Sequence, residues 1–519
     1  MLRPYSPEPL TDFSRPENQA AFSAALERVK AEVGRAYPMI IGGRAVSTGE
    51  TMLTINPSRP AEILAQFAIG GADAADQAIS AASAAFASWQ HVPVEERARY
   101  LLRAAAEMRR RRHEFSAVMV LEVGKSWVEA DADTAEAVDF MEYYARQALR
   151  IADSSHQLIA HPSEQGGLYY IPLGVGAIIP PWNFPCAIPT GMIAAALVTG
   201  NTLVFKPAEQ SPWIAWKVCE LFWSQGLPDG VLNFVFGRGE IVGARMVAHP
   251  ETRFISFTGS KAVGVQIYEQ AARVQPGQRW LKRAVLEMGG KDAVVVDETA
   301  DLESAAQGIV TSAFGFQGQK CSAGSRAIIV NEVYERVASR VVEMARALRV
   351  GAPDAGVQID LGPVIDSDAV SRIMSYIEIG TQEGTLLLGG APLVTPEGGY
   401  FIPPTIFGDV APNARLAQEE IFGPVLAVIR ARDFDHALEI ANGTEYGLTG
   451  AVYSQNRARL ERARREFHVG NLYFNRKCTG ALVGVHPFGG FNMSGTDSKA
   501  GGPDYLLLFT QAKTVAEKL

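Results

Sequence analysis

The stretch IPLGVGAIIPPWNFPCAIPTGMIAAALVTGNTLVFKP, residues 171–207, indicates the fold class more clearly than any other part of the chain. Its composition predicts a strand over 171–180, a proline-bounded loop, a helix over 189–200 and a second strand over 201–207. Short apolar strands that alternate with helices are typical of a parallel sheet covered by helices on both faces. We therefore expect an α/β fold with doubly wound sheets.

The same stretch belongs to a longer segment, Gln165 to Phe205, that contains no charged residue. A hydropathy window of this kind resembles a membrane span. Proline and glycine interrupt it repeatedly, and a lipid-exposed helix cannot satisfy the backbone groups that such residues release. We interpret the segment as buried strand, loop and helix in a protein with no membrane partner.

The alternation continues downstream of residue 207. A helix is expected at 212–226 and from Ser260 onward, and strands at 231–237 and 253–259. A second alternating block spans about 291–490, with strands expected at 292–297, 327–331 and 424–430. Two α/β domains account for most of the length, although 519 residues alone suggest about three domains.

The sequence upstream is helical in character. Ser14 and Glu17 fit a capping box for a helix that runs to about Gly34. Further helices are expected at 72–90 and 94–119. The second of them carries four consecutive arginines, 109–112, which we interpret as a solvated helix face.

Composition excludes several classes of protein. Apolar residues make up 47% of the chain and the net charge is −8, so a disordered chain and a basic nucleic-acid-binding protein are both disfavoured. The four cysteines are widely spaced without a CxxC pair, which argues against a disulfide framework or a zinc ribbon. We expect reduced thiols, no metal site and, since no signal peptide is visible, a cytoplasmic protein.

A phosphate-binding loop of the usual GxGxxG form is missing after the predicted strands. Gly237, Gly239 and Gly243 come nearest, but their spacing is one residue too long. A better candidate is Phe257–Gly264, which follows a strand and opens a helix whose free N–H groups favour phosphate. From the residues alone, an ordinary strand–helix turn is an equally good interpretation.

Three short motifs carry possible chemistry. Cys321 lies in a small-residue, cationic setting, GQKCS, where a neighbouring positive charge would favour the thiolate. Glu287 precedes two glycines at a predicted strand end, where partial burial would raise its pKa and suit it to act as a base. Asn183 lies in the uncharged loop and offers an amide N–H to an oxyanion.

Together the motifs resemble the aldehyde dehydrogenase superfamily over about residues 40–515. Six of them occur in the order and approximate spacing of that superfamily: Pro181-Trp182-Asn183-Phe184-Pro185, Lys206-Pro207-Ala208-Glu209, Phe257-Thr258-Gly259-Ser260, Glu287-Met288-Gly289-Gly290-Lys291, Gly318-Gln319-Lys320-Cys321 and Glu419-Glu420-Ile421-Phe422-Gly423-Pro424-Val425. The superfamily binds NAD without the usual glycine fingerprint, which fits its absence here.

The resemblance implies a separate role for each catalytic residue. Cys321 attacks the aldehyde carbonyl, and the oxyanion is held by the Asn183 amide and the Cys321 backbone N–H. After hydride transfer to NAD, Glu287 activates the water that releases the acid. Lys206 and Glu209 are expected at the adenosine ribose, an acidic residue there favouring NAD over NADP. The other implied cofactor contacts are Ile179, Pro181, Trp182, Gly259, Ser260, Gly264, Met288, Gly289, Glu420 and Phe422.

Within the superfamily, Ser322 and the sequences after Asn475 and Pro487 resemble the branch that oxidises L-glutamate γ-semialdehyde to glutamate in proline catabolism. The substrate α-carboxylate needs several hydrogen-bond donors at the far end of its pocket. The implied substrate contacts are Phe184, Lys320, Ser322, Gly480, Ala481 and Phe488. For Gly480 and Ala481 a plain turn is the simpler alternative to an anion nest.

The resemblance also implies a domain division. It comprises an N-terminal arm (1–40), a cofactor domain in two parts (41–147 and 171–288), a catalytic domain (289–496) and an oligomerisation β-flap in two parts (148–170 and 497–519). A homo-oligomer built from dimers is expected. A separate proline dehydrogenase is a plausible metabolic neighbour.

Three alternatives stay open at this point. The first is an NAD(P)-dependent dehydrogenase for another short aldehyde such as succinate semialdehyde. The second is a CoA-acylating dehydrogenase, which needs no hydrolytic base, so that Glu287 argues against it. The third is a non-enzymatic structural or binding descendant, which would be expected to lose Cys321 or Glu287.

Overall fold

The computed structural model describes residues 3–153 and 158–519. Within these residues the α-helices are α1 (Pro16–Lys30), α2 (Ala72–Trp89), α3 (Val94–Arg110), α4 (Arg112–Glu122), α5 (Trp127–Ala152), α6 (Ala187–Val198), α7 (Pro212–Ser224), α8 (Ala244–Ala248), α9 (Lys261–Ala272), α10 (Leu302–Phe314), α11 (Tyr334–Arg346), α12 (Ser367–Glu383), α13 (Arg415–Gln418), α14 (Phe434–Asn442) and α15 (Arg457–Glu466). The strands are β1 (Arg35–Tyr37), β2 (Met39–Ile41), β3 (Arg44–Val46), β4 (Thr51–Asn56), β5 (Arg59–Ala68), β6 (Glu164–Pro172), β7 (Val175–Ile179), β8 (Thr202–Phe205), β9 (Leu232–Phe234), β10 (Thr252–Thr258), β11 (Arg283–Glu287), β12 (Ala293–Val296), β13 (Arg326–Val330), β14 (Thr385–Leu388), β15 (Thr405–Gly408), β16 (Val425–Ala431), β17 (Tyr446–Gly447), β18 (Thr449–Tyr453), β19 (Asn471–Phe474), β20 (Phe491–Asn492) and β21 (Thr510–Lys518).

The first large sheet has seven strands in the order β11-β10-β7-β8-β9-β2-β3. Its strands β7 to β11 pair in parallel, whereas β2 and β3 add an antiparallel edge. The strands β7 and β8 are short apolar runs buried on both faces, and α6 beside them is buried all round. Continuous apolar strands of this kind form where helices cover both faces of a parallel sheet.

The second large sheet also has seven strands, in the order β14-β15-β16-β13-β12-β18-β19. All of its neighbours pair in parallel except β14 with β15. A third, three-stranded sheet has the order β1-β5-β4. The predicted α/β architecture with two parallel sheets is confirmed. The predicted domain boundaries stay a prediction, since a sheet does not fix where a domain ends.

The N-terminal region differs from the sequence-based expectation in two places. The helix α1 begins at Pro16 with Arg15 at its N-cap position, while the Ser14 hydroxyl donates to Asp12 Oδ1 at 2.6 Å. The capping-box prediction is therefore wrong, and the helix ends at Lys30 rather than near Gly34.

The single helix expected over 94–119 is two helices, α3 and α4, which meet at Arg111. Arg109 and Arg110 of the arginine run are exposed, as the solvated-face interpretation expected, whereas Arg111 and Arg112 are largely buried in ion pairs. Arg112 Nε lies 2.6 Å from Asp131 Oδ1, and Arg111 Nη2 lies 2.7 Å from Glu114 Oε1. These pairs fix the run against neighbouring elements, which a periodicity argument does not reveal.

The strand expected over 171–180 is divided between two sheets. The part before Leu173 belongs to β6, which pairs with β21 over nine residues each in a two-stranded ribbon, and the part after Gly174 is β7. Asn201 Oδ1 accepts the backbone N–H groups of both Leu173 and Gly174, at 2.8 and 2.9 Å, and so holds the bend. Of the predicted arm and flap, residues 1–2 and 154–157 lie outside the described residues.

Most of the membrane-like segment, from Leu173 to Phe205, folds into the interior, whereas its first residues belong to the largely exposed strand β6. Among the described residues, every helix is either too short or too polar to cross a lipid bilayer.

Candidate active site

A cavity of about 290 Å³ lies where the two large sheets meet. Its lining combines backbone-rich loops with a few polar side chains, as is usual for small-molecule sites. The lining residues are Pro181, Trp182, Asn183, Thr258, Gly259, Ser260, Met288, Gly289, Cys321, Arg372, Glu420 and Phe422.

The loops that follow three neighbouring strands of the first sheet form one wall of the cavity. The strands β7, β10 and β11 are parallel neighbours, so their carboxyl ends meet at one edge. Asn183, Gly259 and Met288 follow these three ends in turn. Ligands of open parallel sheets bind outside the carboxyl ends of strands. The loop after β11 leads into β12 of the second sheet, which brings the catalytic segment to the same edge.

The segment before Cys321 is held in an unusual backbone conformation. Phe316 and Gln317 have φ of 49° and 57°, a left-handed conformation that costs non-glycine residues energy. Gln317 Nε2 donates to the carbonyls of Gly124 (3.2 Å) and Pro363 (2.7 Å), and Ile365 N donates to Gln319 Oε1 (3.0 Å). Buried side-chain bonds to two separate segments therefore fix the approach to the cysteine.

Asn183 is bound to that same segment. Its Nδ2 donates to the Gln319 carbonyl at 3.0 Å, and its side chain is buried. A primary amide carries two N–H groups, so this bond orients the amide while the second N–H stays able to reach a ligand. The predicted pairing of Asn183 with the Cys321 segment is thus a short, direct contact.

The electrostatic setting of Cys321 is opposite to the one expected from sequence. Burial raises the pKa of its thiol, and the Asp292, Glu420 and Glu287 carboxyl groups raise it further. Lys320 does not supply a compensating charge to the sulfur, because its Nζ is paired with Glu129 at 2.7 and 2.8 Å. The expectation that a neighbouring cation favours the thiolate is therefore wrong, because acidic groups rather than a free cation act on the sulfur.

Glu287 is the last residue of β11 and is nearly buried. Burial raises the pKa of its carboxyl group to about 8, although the Ser498 hydroxyl, which donates to Oε1, and the Lys499 charge lower it. Its Oε2 is buried without a hydrogen-bond partner. Among the described residues, the cavity lining includes the adjacent Met288 but not Glu287 itself.

Ser260 begins the helix at the candidate phosphate site as predicted, while phosphate binding there stays a prediction. Ser260 caps α9, and its hydroxyl accepts the Val263 N–H at 3.4 Å. The helix therefore presents a positive end to the cavity that Gly259 and Ser260 line. A Cβ at Gly264 would lie 2.4 Å from Met288 Sδ, which shows why this helix requires glycine.

The Glu420 side chain contacts the backbone of the loop that follows β11. Its Oε1 accepts the Gly290 N–H at 3.0 Å, and a Cβ at Gly289 would lie 2.1 Å from its Oε2. Burial raises the pKa of the Glu420 carboxyl group to about 7. Phe422 has a φ of 56°, and its ring packs edge-on against Trp182 with the centroids 5.5 Å apart.

The residues predicted at the adenosine ribose form their own cluster outside this cavity. Glu209 Oε1 accepts from Lys206 Nζ at 3.1 Å and from the Gly239 N–H at 2.7 Å. The loop that was one residue too long for a glycine fingerprint therefore contacts the predicted ribose site. Ile179 ends β7, directly before this edge of the sheet.

The residues predicted on the aldehyde side, among those that the structure describes, do not line this cavity. Phe184 is partly buried and packs against Phe316, with the ring centroids 6.5 Å apart. Lys320 Nζ lies 5.9 Å from the centre of the Phe184 ring while it is paired with Glu129. Lys320 thus belongs to a partly buried ion pair beside an aromatic ring.

The turn that carries Gly480 and Ala481 lies near the same segment. Gly480 has a φ of 77°, which favours glycine, and Cys478 Sγ lies 3.5 Å from the Ser322 carbonyl oxygen. Cys478 therefore links this turn to the nucleophile segment. Phe488 exchanges two backbone hydrogen bonds of 2.8 Å with Ala500 and is partly buried.

Sequence reasoning missed several residues of the site. Thr258 and Arg372 line the cavity, and Glu129 pairs with the lysine before the cysteine. Thr258 belongs to one of the six motifs but was assigned no role, so its position in the motif could have found it. Glu129 and Asp133 are four residues apart on α5, a spacing that places two carboxylates on one helix face.

Comparison with known proteins agrees with this geometry. A model of the aldehyde dehydrogenase family matches residues 45–515. The chain therefore belongs to the aldehyde dehydrogenase family, and the resemblance inferred from its motifs is confirmed.

Individual relatives are more specific. The chain is 60% identical over 517 residues to a 1-pyrroline-5-carboxylate dehydrogenase of Geobacillus thermodenitrificans, with 100% of each protein covered. It is similar to a solved 1-pyrroline-5-carboxylate dehydrogenase from Thermus with bound NAD, at 54% identity, a TM-score of 0.98 and 100% coverage of both chains. A proline utilization A protein from Bdellovibrio bacteriovorus shares 45% identity and a TM-score of 0.96, over 99% of this chain and 53% of that one.

Proposed function

We propose that this chain is an NAD-dependent dehydrogenase that oxidises L-glutamate γ-semialdehyde, the open form of 1-pyrroline-5-carboxylate, to L-glutamate in proline catabolism. Full-length identity of 60% to a protein of that name carries the assignment of the substrate. The cavity that joins Cys321, Asn183 and the N-terminus of α9 supports the reaction class.

Residues of the cavity fit NAD by their chemistry. The capped N-terminus of α9 suits a pyrophosphate, and Glu420 offers a carboxylate to ribose hydroxyls across a glycine-lined gap. Glu209, fixed by Lys206 and Gly239, suits the second ribose and disfavours a 2′-phosphate. NAD held by these residues would supply the hydride acceptor for the oxidation.

The Cys321 thiol gives up its proton to solvent as Sγ adds to the aldehyde carbon, and the Asn183 amide and the Cys321 N–H stabilise the oxyanion of the resulting thiohemiacetal. Loss of hydride leaves a thioester on Cys321. Glu287 takes a proton from water, the resulting hydroxide attacks the thioester, and glutamate leaves as the thiol is restored. The raised pKa of Glu287 suits a group that must accept a proton near neutral pH.

The substrate carboxylate is assigned to the far end of the aldehyde side. Ser322, Gly480 and Ala481 offer a hydroxyl and backbone N–H groups, and Phe184 and Phe488 would flank the aliphatic stem. Lys320 contributes through its pair with Glu129, beside Phe184, rather than as a free charge.

We propose further that two copies associate through the β6–β21 ribbon. This ribbon is exposed along most of its length and presents apolar side chains such as Tyr169 and Val515. An exposed two-stranded ribbon is marginal alone, which favours a partner copy. A cytoplasmic enzyme that consumes the product of a proline dehydrogenase follows from the same assignment.

The test is turnover by the purified chain with L-glutamate γ-semialdehyde and NAD, without CoA. We expect NADH and L-glutamate in equal amounts. Turnover that requires CoA would support the acylating alternative, and an absence of NADH formation would refute the assignment.

A further inference from the structure

Lys125 is a fully buried lysine that belongs to none of the six motifs. It lies between α4 and α5, and its Nζ forms an ion pair of 2.6 Å with Asp133 Oδ2, which is also fully buried. Removing two charges from water costs several kcal/mol per ion. A buried ion pair is therefore retained only where other contacts use its charges. The other contacts of the Lys125 ammonium group therefore indicate what the buried charge does.

Both loops of the active site touch this ammonium group. Lys125 Nζ lies 3.9 Å from the centre of the Phe184 ring and 4.7 Å from that of Phe316. Phe184 follows the oxyanion donor Asn183, and Phe316 opens the left-handed segment that leads to Cys321. A desolvated cation against an aromatic face contributes about 2 kcal/mol, and here one cation meets two faces.

The surrounding bonds strengthen the same connection. Asp133 Oδ1 accepts the Ala187 N–H at 2.7 Å, at the start of α6 directly after the Asn183 loop. Gly124, the neighbour of Lys125, accepts from Gln317 in the cysteine segment. Lys125 and Asp133 thus contact both loops from one side, through rings, backbone and side chains.

A second lysine–carboxylate ion pair holds the Phe184 ring in the same way. Lys320 lies near its ring while paired with Glu129, one helical turn before Asp133 on α5. The two carboxylates of α5 therefore fix two ammonium groups against one aromatic ring.

We propose that Lys125, with Asp133, is a positioning residue that sets the distance between the Asn183–Phe184 loop and the Phe316–Cys321 segment, and thereby the fit of a short aldehyde. The inference rests on the proposed function for the identity of that aldehyde. A displacement of about 1 Å at a reacting centre can cost on the order of 100-fold in rate. The part of the cofactor wall formed by Gly259, Ser260 and Gly289 follows other strands and should not respond.

The test is the double variant Lys125→Met/Asp133→Asn. Removing both charges avoids an unpaired buried ion, and the oxygen of the introduced side-chain amide can still accept from the Ala187 N–H. We expect kcat/KM for L-glutamate γ-semialdehyde to fall by about 10- to 100-fold, with the KM for NAD unchanged. Longer or bulkier aliphatic aldehydes should lose less than the semialdehyde does.

The matched control is Lys217→Met, which removes another buried, paired lysine, bonded to Glu32 at 3.0 Å and Glu114 at 2.9 Å away from the site. It should lower Tm while leaving both kinetic constants as in the wild type. If the double variant folds and matches the wild type in kcat/KM, or if both KM values rise together, the positioning role is refuted. If the wild type itself fails to oxidise the semialdehyde, the proposed function fails instead.

Discussion

The two sides of Cys321 are constructed differently. On the cofactor side, backbone N–H groups, a capped helix end and glycines with no room for a Cβ shape the cavity. On the aldehyde side, one fully buried and one partly buried ion pair from α5 fix an aromatic ring. Backbone sites depend on local sequence, whereas ion-pair sites depend on residues that meet only after folding. We therefore expect the two sides to fail independently when altered.

Substitution of Cys321, where the two sides meet, should have the largest effect on activity. Cys321→Ala removes the nucleophile, and activity should fall roughly 10⁴-fold or more. NAD affinity, measured by fluorescence titration, should stay within about twofold of the wild type, because the cofactor wall is intact. Cys219→Ala, at a buried cysteine in α7, is the control and should keep its activity. Substantial turnover by Cys321→Ala would refute the mechanism.

Glu287→Gln should separate the two half-reactions. The thioester still forms, so rapid mixing should show a burst of about one NADH per site, and then turnover slower by about 10²- to 10⁴-fold. A wild type that needs the Glu287 anion should hydrolyse faster as pH rises through about 8, the pKa that burial gives this carboxyl group.

The control for that profile is Glu122→Gln. Burial also raises the pKa of Glu122 to about 8, but its carboxyl group accepts from Trp213 N and Ile214 N at the start of α7. The rise of the hydrolysis rate with pH should persist in Glu122→Gln. If it disappears in Glu122→Gln and persists in Glu287→Gln, the base has been assigned to the wrong residue.

Gly289→Ala tests the cofactor side by itself. The new methyl group would meet the Glu420 carboxylate, so the KM for NAD should rise by about 10-fold, on the scale of about 1–3 kcal/mol for overpacking. The KM for the aldehyde should change little. Gly166→Ala in β6, where a Cβ would make an ordinary contact of 3.5 Å with Leu158 Cδ1, is the matched control. Equal rises in both KM values would contradict independent sides.

Ser498→Ala should give the smallest change. The Ser498 hydroxyl donates to Glu287 and lowers the pKa of its carboxyl group, so removing it should raise that pKa and move the pH limb of hydrolysis upward. Single-turnover hydrolysis against pH measures the shift. A limb that moves downward would contradict the assigned direction of this hydrogen bond.

The same contrast decides what could be predicted from the sequence. The motif residues Asn183, Ser260 and Gly289 line one cavity because each follows the end of a neighbouring parallel strand. Parallel strands that alternate with helices are visible in hydropathy, so the fold class and this wall were predictable. The cofactor residues Lys206 and Glu209 form a separate cluster, which spacing alone did not reveal.

Long-range charge pairing was not predictable in the same way. The chain position of Lys320 suggested a free cation beside the thiol, but Glu129 lies 191 residues away in sequence and neutralises it. The kink at Arg111 and the bend at Gly174 likewise depend on partners distant in sequence. Local periodicity contains no information on such partners.

The most direct test of the account is the kcat/KM of the wild-type chain, with NAD, for L-glutamate γ-semialdehyde against succinate semialdehyde. The two substrates differ in the chain length and the amino group beside the terminal carboxylate, so the cofactor side cannot distinguish them. If the aldehyde side sets the substrate, glutamate semialdehyde should be preferred by at least about 10-fold. Equal values, or a preference for succinate semialdehyde, would contradict the account.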